Sequence, residues 1–274
     1  MAAGQGGMTT AFEDGYRTLY HWQIFNAERL AKTLGENVVY CSRPSDFNDP
    51  WDCKPFYNLE ILADDQERER HAEWLVSLCR SRTGMSEQDI ATMREALRTD
   101  ETKARTIIRQ ITDSMVEAIT ERYRVYCLGP DLGNLLMWSH YADSHQGICL
   151  EFNLRNDVMC GALKCEYQPE FPVLKLWDND YHSNLLPLLS KADVWREEKE
   201  YRIVAQERKN AVGADTLMTD DGFLKLPDGA IASVVVGCQA VYATVEAVVR
   251  KTAPGLRLRR AVRLPDRYAI KIEG

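Results

Sequence analysis

No apolar run in the chain approaches the ~18 residues that a membrane-spanning helix needs. None of the eight cysteines forms a C-x-x-C pair, and the closest two, Cys160 and Cys165, have no histidine at zinc-like spacing. Cys127, Cys149 and Cys238 lie in apolar strand-like runs, where a thiol behaves as a small core residue. Reduced cysteines throughout point to a cytoplasmic compartment. The absence of a G-x-G-x-x-G or Walker loop argues against a Rossmann or P-loop nucleotide site. Excess positive charge is missing too: the net charge is -7 and the pI about 5.4. Contact with nucleic acid or an anionic membrane would therefore need a local basic patch. The run Arg257, Arg259, Arg260 and Arg263 has no interleaved aromatics and reads as a solvated strand face. Internal repeats and low-complexity tracts are absent. The N-terminus lacks the basic region and apolar stretch of a secretory signal, and residues 1–16 read as a flexible tail.

What is present alternates between strand and helix patterns. Arg17 to Gln23 reads as a first strand. Asn26 can cap a helix that Gly35 stops, and Val38 and Val39 mark a second strand. Three amphipathic helices follow over about 64–122. The first carries Trp74, Leu75, Leu78 and Cys79 on one stripe. Ser86 and Asp89 resemble a capping pair for the second. The third has Ile107, Ile108, Ile111, Met115, Val116 and Ile119 at helical spacing. Strand patterns return at 124–128, 147–152, 163–167, 199–206, 222–226 and 231–236, with further strands near Leu256 and Arg267. The expected class is α+β: a single domain over 17–274, with a mixed or antiparallel β core interrupted by a helical insertion.

Three segments carry chemistry. Read at period two, Trp195 to Val204 places Glu198, Glu200 and Arg202 on one strand face. Two carboxylates and a guanidinium there are costly to bury without partners. On an edge strand the same charges would simply discourage aggregation. The loop Ser45 to Cys53 reads either as an Asx-rich turn or as a site edge. In the second case Phe47 or Trp51 is a stacking wall and Asn48, Asp49 and Asp52 are polar ligands. Its acids could hold a hard cation, although the spacing is not that of an EF-hand. In Met137 to His145, Ser139, His140 and Asp143 suggest a triad, but neighbours on one helix diverge. A buried structural histidine, or His140 and Tyr141 lining a cleft, are the alternatives.

Leu19-Tyr20-His21-Trp22, Val39 to Ser42, Phe47 to Asp52, Leu136 to Ala142, Gly147 to Phe152, and Trp195 with Glu198-x-Glu200-Tyr201-Arg202 resemble the bacterial family of domain of unknown function 2971. This resemblance spans about residues 17–206 and by itself implies no activity. More distantly, Tyr20-His21-Trp22 is similar to the first-strand histidine of diphtheria-toxin-like, poly-type and DNA-modifying ADP-ribosyltransferases. Lys199 to Val204 looks like their late strand, and Glu198 with Glu200 like the Glu-x-Glu of arginine-directed transferases. No Ser-Thr-Ser middle motif occurs, and Tyr40 to Trp51 is the nearest equivalent.

The transferase resemblance implies NAD as a substrate. Glu200 would steady an oxocarbenium-like state, and Glu198 would orient or deprotonate the acceptor. His21 would hold a ribose hydroxyl. Tyr40, Trp51 or Tyr141 would stack on nicotinamide, with Asn48 and His140 completing the cofactor-binding set. The acceptor would be a protein or nucleic acid, and the biological role that of a toxin or phage-defence effector. Other readings are an NAD glycohydrolase, a non-catalytic sensor whose helical insertion docks a protein partner, and a metal-dependent hydrolase or nuclease using Asp49, Asp52, His140 and Glu200. On the transferase reading, His21 and Glu200 are expected on neighbouring strands with their side chains converging on one pocket, and the Phe47 to Cys53 loop is expected to border it.

Overall fold

The structure, a computed structural model, describes residues 8–82, 84–177, 181–212 and 216–274. The first half contains β1 (Thr18–Gln23), α1 (Ala27–Glu36), β2 (Val38–Tyr40), α2 (Asp65–Arg82), α3 (Glu87–Thr99), α4 (Glu101–Arg122) and β3 (Tyr123–Leu128). Next come α5 (Leu135–Tyr141), β4 (Ile148–Asn153), β5 (Leu163–Lys164), β6 (Glu166–Gln168), α6 (Tyr181–Leu189), β7 (Ser190–Ala192) and β8 (Tyr201–Glu207). The chain closes with β9 (Met218–Asp220), β10 (Phe223–Lys225), β11 (Ile231–Val236), α7 (Tyr242–Thr252), β12 (Arg257–Arg263) and β13 (Ile270–Glu273). The class is mixed α+β.

Two sheets form the centre. One has the order β1-β4-β11-β12-β13; the other has β2-β10-β9-β8-β3, with β5 also paired to β8. Each contains a single parallel pair, β11 with β12 and β8 with β9. One backbone bridge joins the sheets, Tyr20 to Gly129, and a second, Ser42 to Val125, links the chain after β2 to β3 at the two ends of the second sheet. Gly129 eases the close approach at the first, because a Cβ there would lie 3.1 Å from the Trp22 ring and force it to shift.

Alternation along β1 assigns its faces. Leu19 enters the core that unites both sheets, with Phe152, Tyr126, Ile203 and Val234, whereas Tyr20 and Trp22 pack with Trp138 behind the first sheet. His21 therefore shares the inter-sheet face with Leu19. Helix α6 covers the outer face of the second sheet through Leu185, Leu188 and Leu189.

Helices α2 to α4 have their own core, in which Leu75, Cys79, Ile90, Leu97, Ala104 and Ile108 pack with Leu62 and Leu176. Ser86 and Asp100 cap α3 and α4, each accepting the amide three residues on. Ile119 near the end of α4 packs instead with Val125 and Val204 of the second sheet.

Three expectations change. Gly35 does not end α1; Asn37 does, in the left-handed conformation at φ 50°. Asparagine tolerates that region better than most residues, and its amide reaches the Thr33 carbonyl. The tail reading of residues 1–16 fails from residue 8 onward. Ala11 is fully buried and donates to the Ala162 carbonyl, and Asp14 pairs with Lys164 and accepts from the Tyr201 hydroxyl. Residues 1–7 lie outside the described set. Finally, β8 is not an edge strand. It lies between β3 on one side and β5 and β9 on the other, so edge protection does not explain its charges.

Candidate functional site

Glu198 is not on the strand at all. Residues Asp193–Glu198 form a 3-10 helix, and Lys199 turns the chain at φ 50° before β8 begins at Tyr201. That left-handed residue, rather than strand alternation, brings the Glu198 and Glu200 carboxylates to the same cation. The cation is Lys191 on β7, whose Nζ lies 2.5 Å from Glu198 Oε2 and 2.7 Å from Glu200 Oε2.

Arg202 completes the cluster and is fully buried. Its guanidinium donates twice to Asp52, at 2.9 and 2.7 Å, and twice to Glu200, at 2.8 and 3.1 Å. It also donates to the Leu188 carbonyl at 2.8 Å and lies over the Phe47 ring. A planar fork serving two carboxylates is a geometry lysine cannot replace. Asp52 lies 3.8 Å from Lys191. Three carboxylates thus face two cations within one buried cluster, leaving one negative charge uncompensated when all are ionised.

The two glutamates respond in opposite directions. Burial pushes both carboxyls upward. For Glu200 the charges of Arg202 and Lys191 outweigh burial and hold the group well below the usual carboxylate range. For Glu198 burial wins over Lys191, with the Glu200 charge adding to it, and the group is raised. Its other oxygen accepts from the Tyr141 hydroxyl at 2.8 Å.

A small pocket of about 60 Å³, more closed than the cavity beside it, sits against this cluster, lined by His21, Trp22, Asn48, Tyr141, Glu198 and Glu200, together with Phe47, Asp52, Cys127, Met137 and Lys191. His21, Phe47, Asn48, Cys127 and Tyr141 also line an open cavity of about 350 Å³, which adds Tyr40, His140 and Arg29. His21 is on β1 and Glu200 precedes β8, with β3 and the bridge at Gly129 between them. They do not occupy neighbouring strands, yet both line the closed pocket.

The His21 tautomer follows from its partner. Nδ1 lies 2.7 Å from the Cys127 carbonyl, which can only accept, so Nδ1 carries the proton and Nε2 is left as an acceptor. Burial pushes the imidazole pKa down to about 4, and the ring stacks on Tyr126 at 4.1 Å. Buried polar atoms without a partner among the described residues surround the same space: Trp22 Nε1, the Tyr126 hydroxyl and Gln23 Nε2. Trp22 lines the closed pocket, and Tyr126 and Gln23 the open one.

Other candidates separate. Trp51 is 65% exposed and lines a different cavity of about 330 Å³ on the far side of Asp52 and Lys191, so it does not join His21. Asp49 is structural: it accepts from the Trp51 amide and from Trp195 Nε1 at 2.7 Å. Tyr40 stands at the mouth of the open cavity, edge-on to Phe223. His140 is exposed against the Trp195 ring, which rules out the buried structural histidine. Asp143 is exposed beyond the end of α5. Among the described residues no group of three His, Cys, Asp or Glu is placed to hold a metal, and Asp52 and Glu200 already accept from Arg202. Lys191 was missed in the sequence, because it sits in an ordinary Ser-Lys-Ala stretch behind a helix.

No helix among the described residues is long and apolar enough to cross a membrane. No curated protein and no solved structure matches the chain. Residues 137–203, which contain His140, Tyr141, Lys191, both glutamates and Arg202, match the family described as protein of unknown function (DUF2971), and over that segment the chain is similar to that family.

Proposed function

We propose that the chain cleaves the nicotinamide–ribose bond of NAD and transfers ADP-ribose to a protein or nucleic-acid acceptor. The observation that carries this reading is a pair of carboxylates in one closed pocket whose proton affinities are pushed in opposite directions. Such a pair divides electrostatic and proton-transfer duties. Glu200, fixed by Arg202 and Lys191, stays ionised and supplies a standing negative charge. As the C–N bond breaks, its electron pair leaves with nicotinamide, and positive charge grows on the ribose. The cluster's excess negative charge stabilises it. Glu198, with its raised affinity, takes the proton from the acceptor nucleophile as that atom bonds to the ribose carbon. His21 Nε2 accepts from a ribose hydroxyl, and the Tyr141 and Phe47 rings flank nicotinamide.

This assignment keeps the role expected of each glutamate. The Glu200 oxygens are already occupied by Arg202 and Lys191, so its charge acts from within the cluster, whereas Glu198 is held by single contacts to Lys191 and Tyr141. The test is nicotinamide release by wild type and Glu198→Gln, with protein and nucleic-acid acceptors supplied. A loss of about 10²-fold in the variant supports the reading, given the usual contribution of a positioned acid–base group. Equal release from both removes Glu198 from the mechanism.

A second reading, a non-catalytic sensor, is favoured by the full pairing of Asp52 and Glu200, which a purely structural network would also show. NAD binding without nicotinamide release would favour it.

A further inference from the structure

We infer that the open cavity beside the closed pocket is a diphosphate site organised by Arg29. This rests on the proposed function and assigns the part of the ligand that lies outside the closed pocket. Arg29 is on the first turn of α1 and lines the open cavity with His21 and Tyr40. Its side chain makes no hydrogen bond or ion pair with any described residue. Unlike the buried Arg124 and Arg202, which are paired, Arg29 is exposed at the cavity with its guanidinium free to take an anion.

Its position on the helix sharpens the point. A cation in the first turn sits at the positive end of the helix dipole, where it is unfavourable and an anion is welcome. The neighbouring Glu28 is not on the cavity wall. Asn26 accepts the Arg29 amide, so the side chain, rather than the helix end, is what the cavity presents. The Arg29 charge is felt by both His21 and Tyr126, lowering the proton affinity of each, which places it over the same space.

One carboxylate lines the cavity, Asp46. It accepts from the Ser45 hydroxyl and makes no ion pair with Arg29. An unpaired guanidinium and a carboxylate on one wall suit a ligand that carries both phosphate and sugar hydroxyls. Lys32, one turn along α1, lies over the Phe223 ring beside Tyr40 and adds positive charge at the mouth. A bidentate guanidinium–phosphate contact fits a diphosphate bridge better than a neutral sugar. The ring bonded to that bridge through ribose would then enter the closed pocket.

The experiment is calorimetric titration of the full chain and of Arg29→Gln with ADP, inorganic pyrophosphate, NAD and nicotinamide riboside. Arg29 is exposed, so the substitution leaves the fold intact, and an unchanged thermal transition checks this. The expected result is ADP, pyrophosphate and NAD binding weakened at least tenfold in the variant, with nicotinamide riboside affinity unchanged. Equal diphosphate affinity in both proteins overturns the inference, as does failure of the wild type to bind any diphosphate. Should the wild type bind ADP and pyrophosphate through Arg29 but ignore nicotinamide riboside and release no nicotinamide, the diphosphate site stands and the transferase reading falls.

Discussion

Strand β8 has a buried arginine–carboxylate arrangement at each end. At its close, Glu207 pairs with Arg124 of β3 at 3.2 Å. Both groups have further partners: Glu207 accepts the amides of Asp221 and Gly222 and the Thr219 hydroxyl, while Arg124 donates to carbonyls at the end of α4. Charges balance one to one, and neither residue lines any of the three cavities described. At the opening of β8, three carboxylates meet two cations, and a pocket lies against them. Both ends are equally buried, so burial alone does not distinguish a structural ion pair from a working one. The two ends differ instead in stoichiometry and in access to empty space.

The largest expected effect tests what the two ends share. Arg202→Met leaves Asp52 and Glu200 buried without their main partner and should cost about 3–5 kcal/mol in urea unfolding. Arg124→Met should cost a similar amount. A much milder loss at Arg202 would show that the opening cluster does not hold the sheet together.

Neutralising single carboxylates should then separate the ends. Glu207→Gln gives up charge-assisted bonds in a balanced site and should lose about 1.5–3 kcal/mol. Glu200→Gln belongs with it, because its carboxylate accepts from both cations. Glu198→Gln removes the excess charge, so stability should change by less than about 1 kcal/mol while nicotinamide release falls. Equal destabilisation at Glu198 and Glu207 would erase the contrast.

The pH dependence carries the same contrast with opposite signs. Glu198 has a raised folded-state pKa, so the native chain binds the extra proton and stability declines as pH rises through that value. Glu207 is lowered, chiefly by the Gly222 and Asp221 amides overcoming burial; its stabilisation is present above the unfolded value and is lost as pH falls. Urea midpoints across pH should show the decline above the usual carboxylate range in wild type but not in Glu198→Gln.

A further pH effect belongs to His21. Its folded pKa of about 4 lies below the ordinary 6.5, so the unfolded chain takes up the proton first. Stability should fall as pH drops from 6.5 toward 4, and His21→Asn should flatten that part of the curve. An unchanged slope would mean that the imidazole is not shielded as its partner geometry requires.

The helices were legible because their signals are local: Asn26, Ser86 and Asp100 are capping residues within a few positions of the amides they accept. The site was legible only in pieces. His21 and Glu200 stood out as polar groups in apolar strand patterns, and they reach one pocket. Their route to it was not readable, since the bridge at Gly129 depends on how two sheets meet. Glu198 was placed on a strand because nothing in Glu-Lys-Glu announces a left-handed lysine. Asp52 and Arg202 are 150 residues apart, and Lys191 acquires its role only from what surrounds it.

The arginine at the opening of β8 is ringed by sulfur. Cys53 Sγ lies 3.2 Å from its guanidinium, and burial pushes the Cys53, Cys127 and Cys165 thiols upward. Only the thiolate attacks an alkylating reagent, so in the closed protein these sulfurs are inert. Each becomes reactive only when its surroundings open. Cys149 is buried in the other sheet, and Cys79 in the helical insertion. Timed thiol labelling would therefore act as a set of clocks native to the chain, reporting separately how often the insertion, the first sheet and the charged end of β8 come apart.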